Sequence, residues 1–573
     1  MSRRLVNVLP AALAATALLW IATARGVFPS PATIAVTVAV LAALAVVELQ
    51  RGVRISAPVV WLAALVGWVA VAAALRPVDP AAAARFVAVA VVALVLAALS
   101  ARPRPAAWGR LGVVAAGALA AFWLVWERAV GDGRPAGPFE NPNIAATVVV
   151  IALALVPPLR CHIALRAGIA GLLIAGTVAS ASRSAMLAAA VVGAVWAVSA
   201  AHRALRLAVA LLAGVAALGL GWRLATDRDP LRFERARIWL VALRTAAAEM
   251  PLGCGPSGYA DAAMPHNFAR EGDLARYYRL PSLAESDPLE LAASLGVPGL
   301  VLGAGLVVGI ALAARARPQA LAPCLAVAVT SLMHTQLPLP AVAWTATLAI
   351  AGTLPRSRGR RLIAPRGIAI AWACAAAAAM AVALGVLPDQ PATAAQIAAA
   401  AESTLAHGGR SAASLADAEA LAWRACAQRP RWAGGWSLLG ALRLERAVQR
   451  GDAPLAAAAA DAFATARRAN PVDVWAALGE GRARRILGDR TAAESALEAA
   501  VRLEPSCAPA WVELALLHLD GGTVTAARRA LGRAEAALAF SRGRVPVSDY
   551  ERAMMSVDHV TLSRLRLRCG MVR

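Results

Sequence analysis

Three polar clusters interrupt an otherwise apolar chain, and they hold residue types that act on anionic substrates. The first is Arg134-Pro135-Ala136-Gly137-Pro138-Phe139-Glu140-Asn141-Pro142-Asn143. The second is Ser180-Ala181-Ser182-Arg183-Ser184-Ala185. The third is longer. It carries Arg228, Arg232, Arg235, Arg237 and Arg244, then Pro251-Leu252-Gly253-Cys254-Gly255-Pro256-Ser257-Gly258-Tyr259, and closes on Glu285-Ser286-Asp287-Pro288-Leu289-Glu290. A guanidinium stays charged and presents paired N–H groups that match phosphate oxygens. A carboxylate or imidazole beside it can take the proton of an attacking hydroxyl. Each residue also has a plainer reading. Arg183 fits a snorkelling or capping arginine, Arg237 a solvated helix face, and Asn141 and Asn143 the turn and cap before a helix. Gly253, Gly255 and Gly258 read as a tight turn, since no GKT-type phosphate loop accompanies them.

The elements that position these clusters are membrane helices. The 573 residues are 60% hydrophobic, with a mean hydropathy of +0.63, which is more apolar than soluble domains are. Apolar runs of span length, about 20 residues each, lie near 5–24, 31–49, 56–75, 82–100, 107–126, 143–159, 162–179, 184–201, 204–222, 289–313, 318–335, 337–354 and 367–387. They predict an all-α polytopic body of about thirteen spans over 1–388, with a long loop at about 223–288. The arginines orient it. With the N-terminus in the cytoplasm, eighteen of them fall in cytoplasmic segments, from Arg3 and Arg4 to Arg366, and six fall in the short segments opposite. All three polar clusters and the tail after residue 388 then face outward, which in a Gram-negative inner membrane is the periplasm. The net charge of +23 comes from arginine alone. It is spread over loops and tail with no aromatic-interleaved stripe, which argues against nucleic acid as a partner. The seven cysteines form no CxxC or zinc spacing. Cys254, Cys426, Cys507 and Cys569 would face an oxidising compartment, so a disulfide stays open. No metal or other cofactor is indicated.

After about residue 390 the long apolar runs stop and a period appears. Trp436-x2-Leu439-Gly440 and Trp475-x2-Leu478-Gly479 open two copies, and Trp511-x2-Leu514-Ala515 a weaker third. Ala459-x3-Phe463-x2-Ala466-x4-Pro471 and Ala493-x3-Leu497-x2-Ala500-x4-Pro505 close them. Ala418-x3-Ala422-x2-Ala425-x4-Pro430 precedes, and Ala527-x3-Leu531-x2-Ala534 follows. This pattern predicts a tetratricopeptide-type α-solenoid over 389–573, joined by a linker that begins at Pro388-Asp389-Gln390-Pro391. Such repeats stack into a concave surface that binds peptides or partner domains and bring no chemistry of their own.

The clusters carry a family resemblance. GPFENPNIAAT resembles the GTFGNPN-type segment of the O-antigen ligase-like family, and SASRSAML its SRG-type segment. RIWLVALRTAAAEMPLGCGPSGY resembles its R-x-x-x-W…P-x-G-x-G segment, and PLELAASLGVPGL the segment after its long periplasmic loop. The four segments come in the family's order, with the long loop before the tenth span; the resemblance covers roughly residues 60–350, and some members carry tetratricopeptide tails. The family includes O-antigen ligases, Wzy-type polymerases and protein O-oligosaccharyltransferases. The resemblance implies a metal-independent glycosyltransferase. It would move glycan from a polyprenyl-diphosphate carrier to a glycan, lipid or protein acceptor on the periplasmic face. From their own chemistry, Arg183, Arg237 and Arg134 are the candidates to hold the diphosphate, and Asn141, Asn143 and Arg235 to touch substrate. The chain departs from the family at one point. The usual His-Asn pair before the leucine matching Leu289 is here Glu285 and Ser286, followed by Asp287, while a His-Asn pair stands earlier as His266-Asn267. Glu285 is then the first candidate base and His266 the second, with Asp287 beside them. The absence of a base is the third alternative.

Two other classes stay open. A lipid-linked sugar transporter would also carry outward arginines, and no inverted repeat is evident. A non-catalytic assembly protein would recruit envelope partners through the repeats.

Overall fold

In a computed structural model, the described residues run mainly from 53 to 199, 231 to 355 and 393 to 571, with isolated positions left out and fragments between 361 and 379. The expected spans near 5–24, 31–49 and 204–222, most of 367–387, the Pro388 linker and Glu140 lie outside them. The regular structure of the described residues is helical apart from a two-residue antiparallel ladder in which Val53 and Arg54 pair with Leu362 and Arg361. The described residues fall into two compact units. The first takes Ala82–Pro256 and Leu283–Gln390 with the N-terminal segment, and the second takes Pro77–Ala81, Ser257–Ser282 and Pro391–Arg573.

The first unit holds α1 (Ala57–Leu75), α2 (Pro80–Ser100), α3 (Pro103–Val130), α4 (Pro142–Ala154), α5 (Ile163–Ala179), α6 (Arg183–Ser199), α7 (Leu231–Glu249), α8 (Asp287–Ala314), α9 (Leu321–Met333) and α10 (Pro340–Thr353). Among the described residues, only α1, α2, α3 and α8 are long and apolar enough to cross a membrane. The expected spans at 143–159, 318–335 and 337–354 appear as helices of 13, 13 and 14 residues. At 1.5 Å per residue these reach about 20 Å, short of the ~30 Å hydrocarbon core. Helix α4 is buried along nearly its whole length, so its continuous apolar run reflects a helix packed in protein on every side. Small residues bring its neighbours close. A Cβ on Gly117 would stand 2.2 Å from the Ala152 Cβ, and one on Gly176 would stand 2.5 Å from the Ala121 Cβ.

Helix α8 is kinked, and the kink is occupied. Gly296 has φ 62° and ψ −155°, and Pro298 follows. Proline has no N–H to give the carbonyl four residues back, so Ser294 needs another donor. The amide of Gly255 provides it at 2.9 Å, the Cys254 amide bonds Ala293 O at 2.9 Å, and the Val297 amide bonds Pro251 O at 2.9 Å. The strap from Pro251 to Gly255 thus lies inside the kink. Approach this close requires glycine. A Cβ on Gly296 would fall 2.1 Å from Pro251 O, and one on Gly253 would fall 2.5 Å from Ser294 O. The turn read from the glycines is therefore a backbone clasp between the end of α7 and the middle of α8.

The second unit is a run of helix pairs: α11 (Ala394–Gly408) with α12 (Ala412–Gln428), α13 (Ala433–Arg450) with α14 (Ala453–Ala469), α15 (Val474–Ile486) with α16 (Arg490–Leu503), and α17 (Ala508–Asp520) with α18 (Val524–Ser541). Two short helices, α19 (Asp549–Met555) and α20 (His559–Arg568), follow. The repeat residues have visible tasks. The Phe463 ring fills the space that side chains on Gly440 and Gly479 would occupy, since Cβ atoms there would lie 2.9 and 2.3 Å from it. Trp436 Nε1 donates to Pro430 O at 2.8 Å, and Trp511 Nε1 donates to Pro505 O at 2.9 Å, the same bond in two repeats. Asp452, Asp473 and Asp489 cap the helices that follow them. No disulfide joins the seven cysteines.

Candidate functional site

The site is built on two short segments in the first unit. Residues 285–287 lead into α8, and residues 334–337 follow the end of α9. They pair in register. Glu285 Oε2 meets His334 Nδ1 at 3.2 Å, and the Ser286 amide donates to Thr335 Oγ1 at 3.1 Å. Asp287 Oδ1 accepts the amides of Gln336 and Leu337 at 2.8 and 3.0 Å. Gln336 Oε1 in turn accepts the Thr147 hydroxyl of α4 at 2.8 Å. Below them Glu290, buried in α8, accepts the Ala284 amide and the Ser294 hydroxyl at 3.0 and 3.2 Å. These bonds fix both segments over the clasped kink.

A third arm brings in the serine-rich cluster. His334 Nε2 lies 3.0 Å from Ser184 Oγ, and Ser184 Oγ lies 3.2 Å from Ser182 Oγ. Ser184, His334 and Glu285 thus form one hydrogen-bonded chain of hydroxyl, imidazole and carboxylate. An ionised carboxylate only accepts, so Nδ1 carries the proton that faces Glu285. In the neutral imidazole this leaves Nε2 as the acceptor that faces Ser184. Burial works to raise the Glu285 carboxyl, but the hydrogen bond from His334 outweighs it, with Arg235 contributing. The carboxyl is held below its ordinary value of 4.5. The Arg235 guanidinium stands 3.9 Å from Glu285 Oε2, and Trp239 Nε1 donates to Glu285 O at 3.2 Å. Both come from α7. Glu285 itself has φ 53° and Ala181 has φ 54°. Left-handed backbone costs a side chain-bearing residue of order 1–3 kcal/mol and persists where surrounding contacts over-determine it. Both arms of the site are held in that way.

The arginines fall into place unequally. Arg134 Nε donates to Ser180 O at 3.1 Å, and its Nη2 donates to Asn143 Oδ1 at 3.0 Å, so it ties the first cluster to the second. Arg183 is the first residue of α6, next to Ser184, and is half-buried. Arg237 is exposed on α7 two residues after Arg235, a spacing that points the two side chains to different sides of the helix. Asn141 caps α4 by accepting the Asn143 amide at 2.9 Å, the plainer of its two readings. Asp287 spends one oxygen on backbone amides and so positions the histidine segment. His266 lies in the one-turn Met264–His266 of the second unit, whereas Glu285 belongs to the first.

Beside Arg134 a cavity of about 800 Å³ opens between the ends of α3 and α5. Val125, Ala129, Ala175 and Val178 wall it, and Arg128 and Arg134 stand among its lining. Its edge loop is hung from Glu127, whose Oε2 accepts the amides of Ala136 and Gly137 at 2.9 Å each. Among the described residues no group of three His, Cys, Asp or Glu side chains is placed to hold a metal ion.

The sequence reading missed His334. It sits at the end of an apolar run counted as a span, and a lone histidine there reads as packing. The available signal was its company. His334-Thr335-Gln336 is a polar triplet between two apolar runs, and polar residues in such apolar surroundings are costly.

Residues 168–304, from α5 to the middle of α8, match the family described as O-antigen ligase. A search of curated proteins gives no match. Among solved structures the chain is similar to a thermophilic TPR protein of Thermus thermophilus, at 22% identity over 34% of this chain and 88% of that one, with a TM-score of 0.24. It is also similar to yeast Tom70, at 12% identity over 79% of this chain and 96% of that one, with a TM-score of 0.23. The repeat assignment rests on the helix pairs themselves.

Proposed function

We propose that the chain is a membrane glycosyltransferase. It would carry glycan from a polyprenyl-diphosphate donor to an acceptor hydroxyl at the periplasmic face of a bacterial inner membrane, as ligase or polymerase. The observation that carries this reading is the Ser184–His334–Glu285 chain, with Ser184 and Glu285 inside the O-antigen ligase match and His334 beyond it. The departure from the family pattern had put the base in doubt, and His334 supplies one.

In this mechanism His334 Nε2 takes the proton of the acceptor hydroxyl from the position where it now meets Ser184 Oγ. The hydroxyl oxygen bonds to the anomeric carbon as the bond from that carbon to the diphosphate oxygen breaks. The electron pair leaves on the diphosphate. Glu285 keeps the proton on Nδ1 and balances the charge the imidazole gains. Arg183 and Arg134 would meet the leaving diphosphate from the serine-rich arm, with Arg235 of α7 beside Glu285; Arg237, on another side of α7, is the less favoured of the arginines. The apolar cavity beside Arg134 suits the isoprenoid end of such a carrier. His266 is the second candidate base. The repeats offer a surface for a protein partner or acceptor.

The test is transfer in vitro from a polyprenyl-diphosphate-linked glycan by the purified chain. Arg183→Ala and Arg134→Ala should each lower the rate by roughly a hundredfold or more without loss of protein from the membrane. Lysine at either place should restore little, because an ammonium lacks the planar fork. Full transfer by the double alanine variant would remove diphosphate stabilisation by these arginines from the account.

A further inference from the structure

The loop between the α7–α8 clasp and Glu285 does not fold with the first unit. Residues 257–282 belong to the second, where they are held at two separate places on the repeats. Arg429 Nε and Nη2 donate to Asp261 Oδ2 and Oδ1 at 2.7 and 2.9 Å, a two-pronged ion pair whose carboxylate side chain is 8% exposed. Glu504 Oε2 and Oε1 accept the backbone amides of Arg276 and Tyr277, each at 2.8 Å. Just before these two amides, Leu274 O accepts the Ser506 hydroxyl. Ala275 is fully buried in one apolar cluster with Val474, Leu478, Leu497 and Cys507.

The repeat register shows why these contacts are specific to the loop. Each Ala-x4-Pro segment puts one residue just before its proline: Arg429, Asn470 and Glu504 in successive repeats. All three donate their amide to the helix they end, at 3.0, 2.8 and 3.0 Å. Asn470 also turns its side chain onto its own turn, accepting the Val472 amide at 3.4 Å. Arg429 and Glu504 instead reach out of the turn, and each meets the loop with complementary chemistry. The cation takes a carboxylate, and the fully buried carboxylate takes two amides. A buried glutamate with no such donors would be costly there.

We propose that the repeat unit takes residues 257–282 of its own chain as a bound ligand through the pre-proline positions Arg429 and Glu504, and so clamps in cis the segment that runs into Glu285. The repeat surface at these two positions is filled by the chain itself. The tail is then a part of the loop's architecture. The inference needs no assumption about glycan transfer, and its test reads none.

The experiment is amide hydrogen exchange by mass spectrometry on the full-length protein in lipid nanodiscs. In the unaltered chain, the peptides covering Leu274–Tyr277 should be protected like the repeat helices. Glu504→Ala should speed exchange at Arg276 and Tyr277 by about tenfold or more, with α16 and α17 still protected. Arg429→Ala tests the other anchor, far from Glu504 in the chain, and should release the segment around Asp261. If Glu504→Ala melts the repeats, the charge-exchanged pair Asp261→Arg with Arg429→Asp decides. Each single change should loosen the loop, and the pair should restore at least part of its protection. Exchange of Leu274–Tyr277 at the rate of an exposed loop in the unaltered chain would overturn the proposal. So would unchanged exchange in both Glu504→Ala and Arg429→Ala.

Discussion

The helix repeats and the candidate site differ in how far apart the residues that cooperate lie in the chain. Between one repeat and the next the partners are near neighbours, although the loop that the same unit holds is reached across 168 and 228 positions. Trp436 bonds Pro430, Asp473 caps its own helix, and the Phe463 wedge answers glycines on the two adjacent helices. In the first unit the site joins Ser184, Glu285 and His334 across 150 and 49 positions. Local partners leave a period in the sequence, whereas distant partners leave isolated polar residues in apolar surroundings. This is why the tail was legible as a repeat and the site only as a set of neighbourhoods.

Substitutions at glycine should separate the two regimes most strongly. Gly296→Ala puts a Cβ 2.1 Å from Pro251 O at a φ that side chains avoid, and the obstacle is backbone that cannot swing away. The clasp should open at a cost of about 3 kcal/mol or more. Mild proteolysis after the clasp should then rise together with loss of transfer. An unaltered clasp in this variant would show that the kink is not held by close backbone approach. In the repeats the corresponding perturbation is a single local bond. Trp511→Phe keeps an aromatic ring and removes the donor to Pro505 O, which should cost about 1 kcal/mol and lower the thermal midpoint of the repeat transition slightly. A large collapse there would mean that the repeats are coupled far more tightly than their neighbour contacts imply.

Several elements were legible because their physics is local. The helical tail follows from its small-residue period, and the Asn141 cap follows from Asn-Pro-Asn before an apolar run. Span count was less legible. Helix α4 is apolar on every side, and composition alone does not distinguish a helix buried in protein from one exposed to lipid. The strap at Gly253 was read as a turn, but its partner is the kink at Gly296, and nothing local announces that contact. The loop at 223–288 was read as one element, yet it is shared between the two units. Asp261 and Glu504 stand far apart in the chain, and neither has a local pattern that marks it as a loop anchor. His334 was missed for the same reason, since its partners are Glu285 and Ser184 and neither is near it in sequence.

The proposed transfer turns on which imidazole takes the acceptor proton. Transfer should be measured at saturating polyprenyl-diphosphate glycan for His334→Ala and His266→Ala side by side, with donor binding measured on the same preparations. His334→Ala should lose roughly a hundredfold to ten-thousandfold in rate while still binding donor, as expected for removal of a general base, and His266→Ala should keep most of its rate. A His334→Ala protein that transfers at the unaltered rate, or a His266→Ala protein that is the inactive one of the two, would contradict the base assigned to the Ser184–His334–Glu285 chain.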